Sequence, residues 1–234
     1  VMFWMFTVIQ FPEEIAAKMA VATSLTTIMF TSYASMSAHR KRGAVDFDLL
    51  RRWAPFMAIG ALAGGLASRF LEGETLTGVF GVVGILVAIN LAIPKTLVIA
   101  KELPHRVIQW FLALINGFVS SLMGIGGGTL GVPVLAAFSF PIHRAVGTAS
   151  AFGLVIAIPA VVGFIIAGWD VSGRPPLSLG YVSLPAAVII LPFTMFFAPI
   201  GARLAHSLQP IWVKRAFALF LAITAIKMLH SALT

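Results

Sequence analysis

From Val107 to Ile142 the chain carries no Asp, Glu, Lys or Arg, and in the middle of that run stands Gly124-Ile-Gly-Gly-Gly-Thr-Leu-Gly-Val-Pro133. Five glycines and a proline within ten residues defeat an ordinary helix, because glycine costs about 1 kcal/mol and proline about 3 kcal/mol in a helix interior. In lipid every backbone N–H and C=O needs a partner. Irregular backbone survives at that depth only where protein covers it or where it lines a watery cavity. The motif therefore reads as a deliberate helix break inside a membrane protein, the kind of element around which transporters bind their substrates.

Composition points to the same solvent. Hydrophobic residues make up 59% of the 234 and charged residues 10%, with a mean hydropathy of +1.00. A soluble chain would carry about a quarter charged residues. The net charge of +8 would suit nucleic acid, but the bases sit in short loops between apolar runs and form no solvated face with interleaved aromatics. That is the pattern of membrane loops, and it argues against a nucleic-acid partner. With no cysteine there is no disulfide framework, thiolate metal site or thiol nucleophile. The chain opens apolar at Val1 without the charged start of a signal peptide. It is expected to begin inside an element, with its N-terminus truncated.

Spanning a bilayer takes about 20 residues, and the apolar stub Val1–Phe11 is too short. Spans are predicted over Met19–Ala38, Pro55–Leu71, Leu76–Ile93, Val146–Gly168 (with Pro159 as a kink), Tyr181–Ala205 and Val213–Leu233, around the broken element Val107–Phe140. The fold class is thus an all-α polytopic helical membrane protein of about 7–8 transmembrane or re-entrant segments, helix or loop throughout. A weak internal repeat divides it into two pseudo-symmetric halves, 1–103 and 104–234. Phe11-Pro12, Lys18 and Ala20-Val-Ala-Thr-Ser24 parallel Phe140-Pro141, Arg144 and Ala145-Val-Gly-Thr-Ala-Ser150. If the broken element re-enters, twelve of the sixteen Lys and Arg fall on the side of the His39–Arg52 loop; if it crosses, ten do. The positive-inside rule favours re-entry, which leaves three crossings per half and makes the halves inverted repeats.

All eight acidic residues are expected in loops, outside the predicted spans, so no carboxylate is expected inside the membrane for a proton relay or a cation cage. The interior offers hydroxyls, glycine N–H groups and helix termini, which are tools for holding anions. Gly126, Gly127 and Gly128 with Thr129 can aim several N–H groups at one point, and Pro133 suits the first position of the following helix. A bulky side chain at any of the three glycines is expected to block the backbone turn or the anion's approach. Thr148 and Ser150, with their counterparts Thr23 and Ser24, are candidate hydroxyl donors, although membrane Ser and Thr commonly bond back to their own helix. Gly60, Gly64, Gly65, Gly78, Gly81 and Gly84 read as close helix packing, and Asn116 as interhelical glue. Lys18 and Arg144 begin matching helices and either attract substrate or snorkel.

Enzyme readings find no residues. Gly126-x-Gly128-x-x-Gly131 fits the dinucleotide fingerprint but lacks a strand context and the acid about 20 residues on; the next acid is Asp170. No phosphate-loop lysine follows the glycines, and no Gly-x-Ser-x-Gly occurs. The five histidines are dispersed without metal-ligand spacing. No catalytic residue, metal or cofactor is expected.

Gly124-Ile-Gly-Gly-Gly128, Val132-Pro133, Val146-Gly-Thr-Ala-Ser150 and, in the first half, Ala20-Val-Ala-Thr-Ser24 with Arg40-Lys-Arg-Gly-Ala-Val-Asp46 resemble the sulfite exporter family TauE/SafE over nearly the whole chain. The resemblance implies a multi-pass permease of the cell membrane (the inner membrane in a Gram-negative cell) for sulfite, an organosulfonate or a related small sulfur-containing anion, moved outward. The substrate-binding residues expected are Gly126, Gly127, Gly128, Thr129, Thr148, Ser150, Thr23 and Ser24. The expected partners are that anion and the lipid bilayer, with a homo-oligomer left open. An anion channel and a non-transporting membrane subunit are the alternatives.

Overall fold

The computed structural model describes residues 13–93, 98–207 and 210–233. The apolar stub before Pro12 and the start of the 94–106 loop lie outside the described residues. Eight helices are described: α1 (Glu13–Lys41), α2 (Phe47–Ala67), α3 (Gly73–Ala92), α4 (Arg106–Met123), α5 (Gly128–Ala137), α6 (Ile142–Ala167), α7 (Leu184–Ser207) and α8 (Pro210–Leu233). Five contain stretches long and apolar enough to cross a membrane, within α1, α3, α4, α6 and α8. The protein is an all-α polytopic membrane protein. One exception to helix or loop is a two-residue hairpin, β1 (Ser178–Leu179) paired antiparallel to β2 (Val182–Ser183). It moves the start of α7 from the expected Tyr181 to Leu184.

Capping explains two of the boundaries. Asp46 stands before α2 and its Oδ1 accepts the N–H of Leu49 at 2.9 Å, so the helix starts well before the apolar run at Pro55. Ser183 does the same for α7, its Oγ accepting the N–H of Ala186 at 3.4 Å. A side-chain oxygen at this position takes up one of the N–H groups that a helix start leaves unpaired.

The path of the broken element is settled by what its end touches. The N–H of Ile99, ahead of α4, donates to the Ala137 carbonyl at 2.7 Å, and Ser139 Oγ donates to the Ala100 carbonyl at 3.0 Å. The last turn of α5 therefore lies beside the segment that leads into α4. The next helix starts on that same face, where Arg144 Nη2 pairs with Asp46 Oδ2 at 2.7 Å. The element enters and returns. On this path the sequence puts twelve of the sixteen bases on the Asp46 side, called here the basic face.

α2 packs along α4 and α6, and α1 along α6; α3 and α8 pack along each other and touch the remaining helices at few places. Glycines set the approach. A Cβ at Gly163 would stand 2.9 Å from the Gly65 Cα; one at Gly60 would run into the Leu114 carbonyl, and one at Gly117 into that of Met57. In the α3–α8 seam, Cβ atoms at Gly81 and Gly84 would meet Leu229 and Ala225 at 2.8 and 2.9 Å, whereas Gly78 has ordinary room, 3.8 Å from Ala232. Lipid tails are as apolar as the side chains, so such close backbone contact supplies the dispersion that holds the helices together.

Candidate substrate site

The break is built by a left-handed stop and a supported restart. Gly124 ends α4 at φ 64° and Gly126 turns the chain again at φ 71°, a region that side chains avoid. The Gly124 carbonyl accepts the Ser24 hydroxyl of α1 at 2.8 Å. Gly126 rests on Ile28 of α1 and Gly153 of α6, each near the middle of its helix, so the turn sits at mid-depth. Behind it stands Phe152, fully buried and stacked 5.6 Å from Trp53. Trp53 Nε1 donates to Gln109 Oε1 at 3.1 Å, and Gln109 Nε2 to the Pro104 carbonyl at 2.8 Å.

The first bond of α5 runs from the Gly131 N–H to the Gly127 carbonyl, 2.9 Å. The N–H groups of Gly128, Thr129 and Leu130 therefore have no acceptor within the helix and carry its positive end. Pro133 is not the first residue of this helix, as the sequence suggested, but lies within it. Glycine freedom already starts the helix at Gly128, and the missing Pro133 N–H leaves the Thr129 carbonyl without its helical donor.

The three glycines part company here. A Cβ on Gly127 would stand 2.5 Å from Phe152 Cβ, so this glycine is a packing contact. Gly126 needs its positive φ. Only Gly128 is open, with the Ala149 carbonyl 3.9 Å away as the nearest atom, and it looks into a cavity of about 410 Å³. That cavity opens on the basic-face half of the molecule and also receives Thr129, Ser150, Ser35, His39 and Asn90. A second cavity of about 400 Å³ lies on the other side of the break, reaching Gly124 and Ile125 and lined by Ser24, Thr27, Thr77, Thr194 and Thr224. Both lie in the seam between the α3–α8 pair and the other helices.

Of the hydroxyls expected at the site, Ser150 lines the first cavity and donates to the Gly147 carbonyl at 2.6 Å. Ser24 lines the second. Thr23 and Thr148 line neither and are fully buried. Thr148 Oγ1 accepts the N–H of Asp46 at 2.9 Å, and Thr23 Oγ1 the N–H of Ser183 at 3.1 Å. Each threonine thus meets the capping residue of a helix in the opposite half. Lys18, over the Tyr181 ring at 5.4 Å, and Arg144, paired with Asp46, also line neither cavity. Asn116 accepts from Ser120 of its own helix at 3.0 Å, and its Nδ2 has no partner among the described residues. Nothing in the sequence singled out Ser35, His39 or Asn90, which are ordinary helix-end polar residues until three helices converge. Among the described residues no three His, Asp or Glu stand together as a metal group.

A family model described as Sulfite exporter TauE/SafE matches residues 1–228. The chain belongs to the TauE/SafE family. A Haemophilus influenzae protein named "Probable membrane transporter protein" is 32% identical over 96% of this chain and 86% of its own length. Relatives with names of the same kind occur in Methanocaldococcus jannaschii, at 26% identity over 82% of this chain and 72% of their protein, and in Bacillus subtilis, at 24% over 87% and 77%. No solved structure matches the chain. As a TauE/SafE protein it is a multi-pass membrane transporter.

Proposed function

We propose that this transporter carries a small sulfur-containing oxyanion, sulfite or an organosulfonate, by alternating access across the cell membrane, with the anion held beside Gly128 and Thr129 at the start of α5. The observation that carries this reading is the pair of similar cavities, about 410 and 400 Å³, on opposite sides of one glycine break. A continuous pore would need them joined. The family's description supplies the substrate class, and the free N–H groups of α5 offer an oxyanion partners without a buried cation. The positive-inside rule turns the basic face to the cytoplasm, so the first cavity faces the cell interior and transport outward fits the family's description. The reciprocal threonine contacts and the opposite directions of α1 and α6 support reading 1–103 and 104–234 as inverted repeats.

Counterflow of labelled sulfite in proteoliposomes tests the proposal, with Gly128→Leu as the variant. The Cβ position at Gly128 is open, so the leucine fills the cavity without displacing a neighbour, which Gly127→Leu could not do. Saturable counterflow that falls at least tenfold in the variant is the expected result. Linear, unsaturable flux would make the protein a pore, and flux untouched by the leucine would move the site elsewhere.

A further inference from the structure

The two cavities differ in their hydrogen-bonding chemistry. Around the basic-face cavity, the side chains of Ser35, His39, Asn90 and Thr129 make no hydrogen bond among the described residues. Asn90 has two N–H donors, His39 keeps at least one in either protonation state, and each hydroxyl has one proton to give. Ser150 alone has spent its proton inside the fold. Around the opposite cavity all five hydroxyls are spent on backbone carbonyls: Ser24 on Gly124 at 2.8 Å, Thr27 on Ser24 at 2.8 Å, Thr77 on Glu74 at 2.8 Å, Thr194 on Leu191 at 2.9 Å and Thr224 on Phe220 at 2.9 Å. A hydroxyl has a single proton, so what these five turn towards the cavity is lone pairs.

Resting on the transport reading above, we infer that the carrier is asymmetric, binding its oxyanion through Ser35, His39, Asn90 and Thr129 from the basic face and holding it weakly in the hydroxyl-lined cavity that opens opposite. An oxyanion has only acceptors. In the first cavity it meets free donors, which form charge-assisted bonds with it. In the second it meets oxygens like its own, and each donor must first be taken from a carbonyl. The excess of bases on the basic face raises the local anion concentration in the same sense. Asn90 rides on α3, the Ser35 and His39 side chains on α1 and Thr129 on α5, so the donor set comes apart when α3 and α8 shift against the other helices.

The test is the half-saturating concentration of [35S]sulfite in zero-trans flux from each face of the full chain in proteoliposomes. One orientation is silenced by a membrane-impermeant maleimide on Met228→Cys, which lines the cavity that opens opposite the bases. The expected value is at least tenfold lower from the basic face. Asn90→Leu should raise that value towards the other. Equal values, or a lower one from the opposite face, overturn the asymmetry and leave transport standing. No saturable flux from either face of a folded protein overturns the transport reading with it.

Discussion

Thr148 and Thr23 separate a binding role from a structural one at the scale of single residues. Their oxygens accept buried backbone N–H groups at 2.9 and 3.1 Å, and a valine in either place leaves a donor unpaired, at about 1–3 kcal/mol. Thr148→Val and Thr23→Val should therefore lower the thermal midpoint of the detergent-solubilised protein while leaving the half-saturating concentration for sulfite unchanged. A large rise in that concentration at unchanged stability would return them to the binding site. Phe152 is a harder case, since it backs Gly127 and Gly131 and stacks on Trp53. Phe152→Ala should cost about 3–5 kcal/mol, seen as a loss of folded yield in size exclusion. Residue type alone marked the glycines, Thr129 and Ser150 as candidates, and of these Gly128, Thr129 and Ser150 line the first cavity. It could not separate Thr148 from Ser150, two residues apart, because that depends on which way each faces on α6. Nor could it reach Asn90, whose neighbours in space come from other helices.

The re-entrant α4–α5 element makes its prediction through topology. The chain has no cysteine, so single cysteines report sidedness without background. Asp48→Cys, in the first turn of α2 on the basic face, and Ser139→Cys, just after α5, should react with an impermeant maleimide from one membrane face, and Gly73→Cys and Gly173→Cys from the other. Labelling of Ser139→Cys from the face of Gly173 would mean the element crosses. The sequence made the break visible, since no other stretch concentrates five glycines and a proline. Charge counting leaned towards re-entry by two bases, whereas the contact of Ala137 with Ile99 decides it. Helix starts were less legible than helix existence. Apolar runs mark the lipid-facing part, while Asp46 and Ser183 extend or delay the helix by hydrogen bonds that no hydropathy pattern records.

Over the whole molecule, the α3–α8 pair is the body best placed to move, for it is tightly joined within itself and loosely joined to the rest. A disulfide between Gly78→Cys and Ala232→Cys, whose Cβ atoms would stand 3.8 Å apart inside the pair, should leave sulfite counterflow intact. A flexible bifunctional thiol reagent joining Leu76→Cys to Ala20→Cys, across the seam, should arrest it until the link is cut. Arrest by the first link would place the motion within the pair. The reciprocal threonine contacts have a consequence for biogenesis. During synthesis α2 enters the bilayer with the Asp46 N–H waiting for a residue 102 positions downstream, and α1 holds an acceptor whose donor arrives 160 positions later. Each half leaves the N–H of one capping residue for the other half to meet. A ribosome releasing the first half alone would deliver an incomplete fold to the quality-control proteases, and the two halves made as separate polypeptides should survive only when made together.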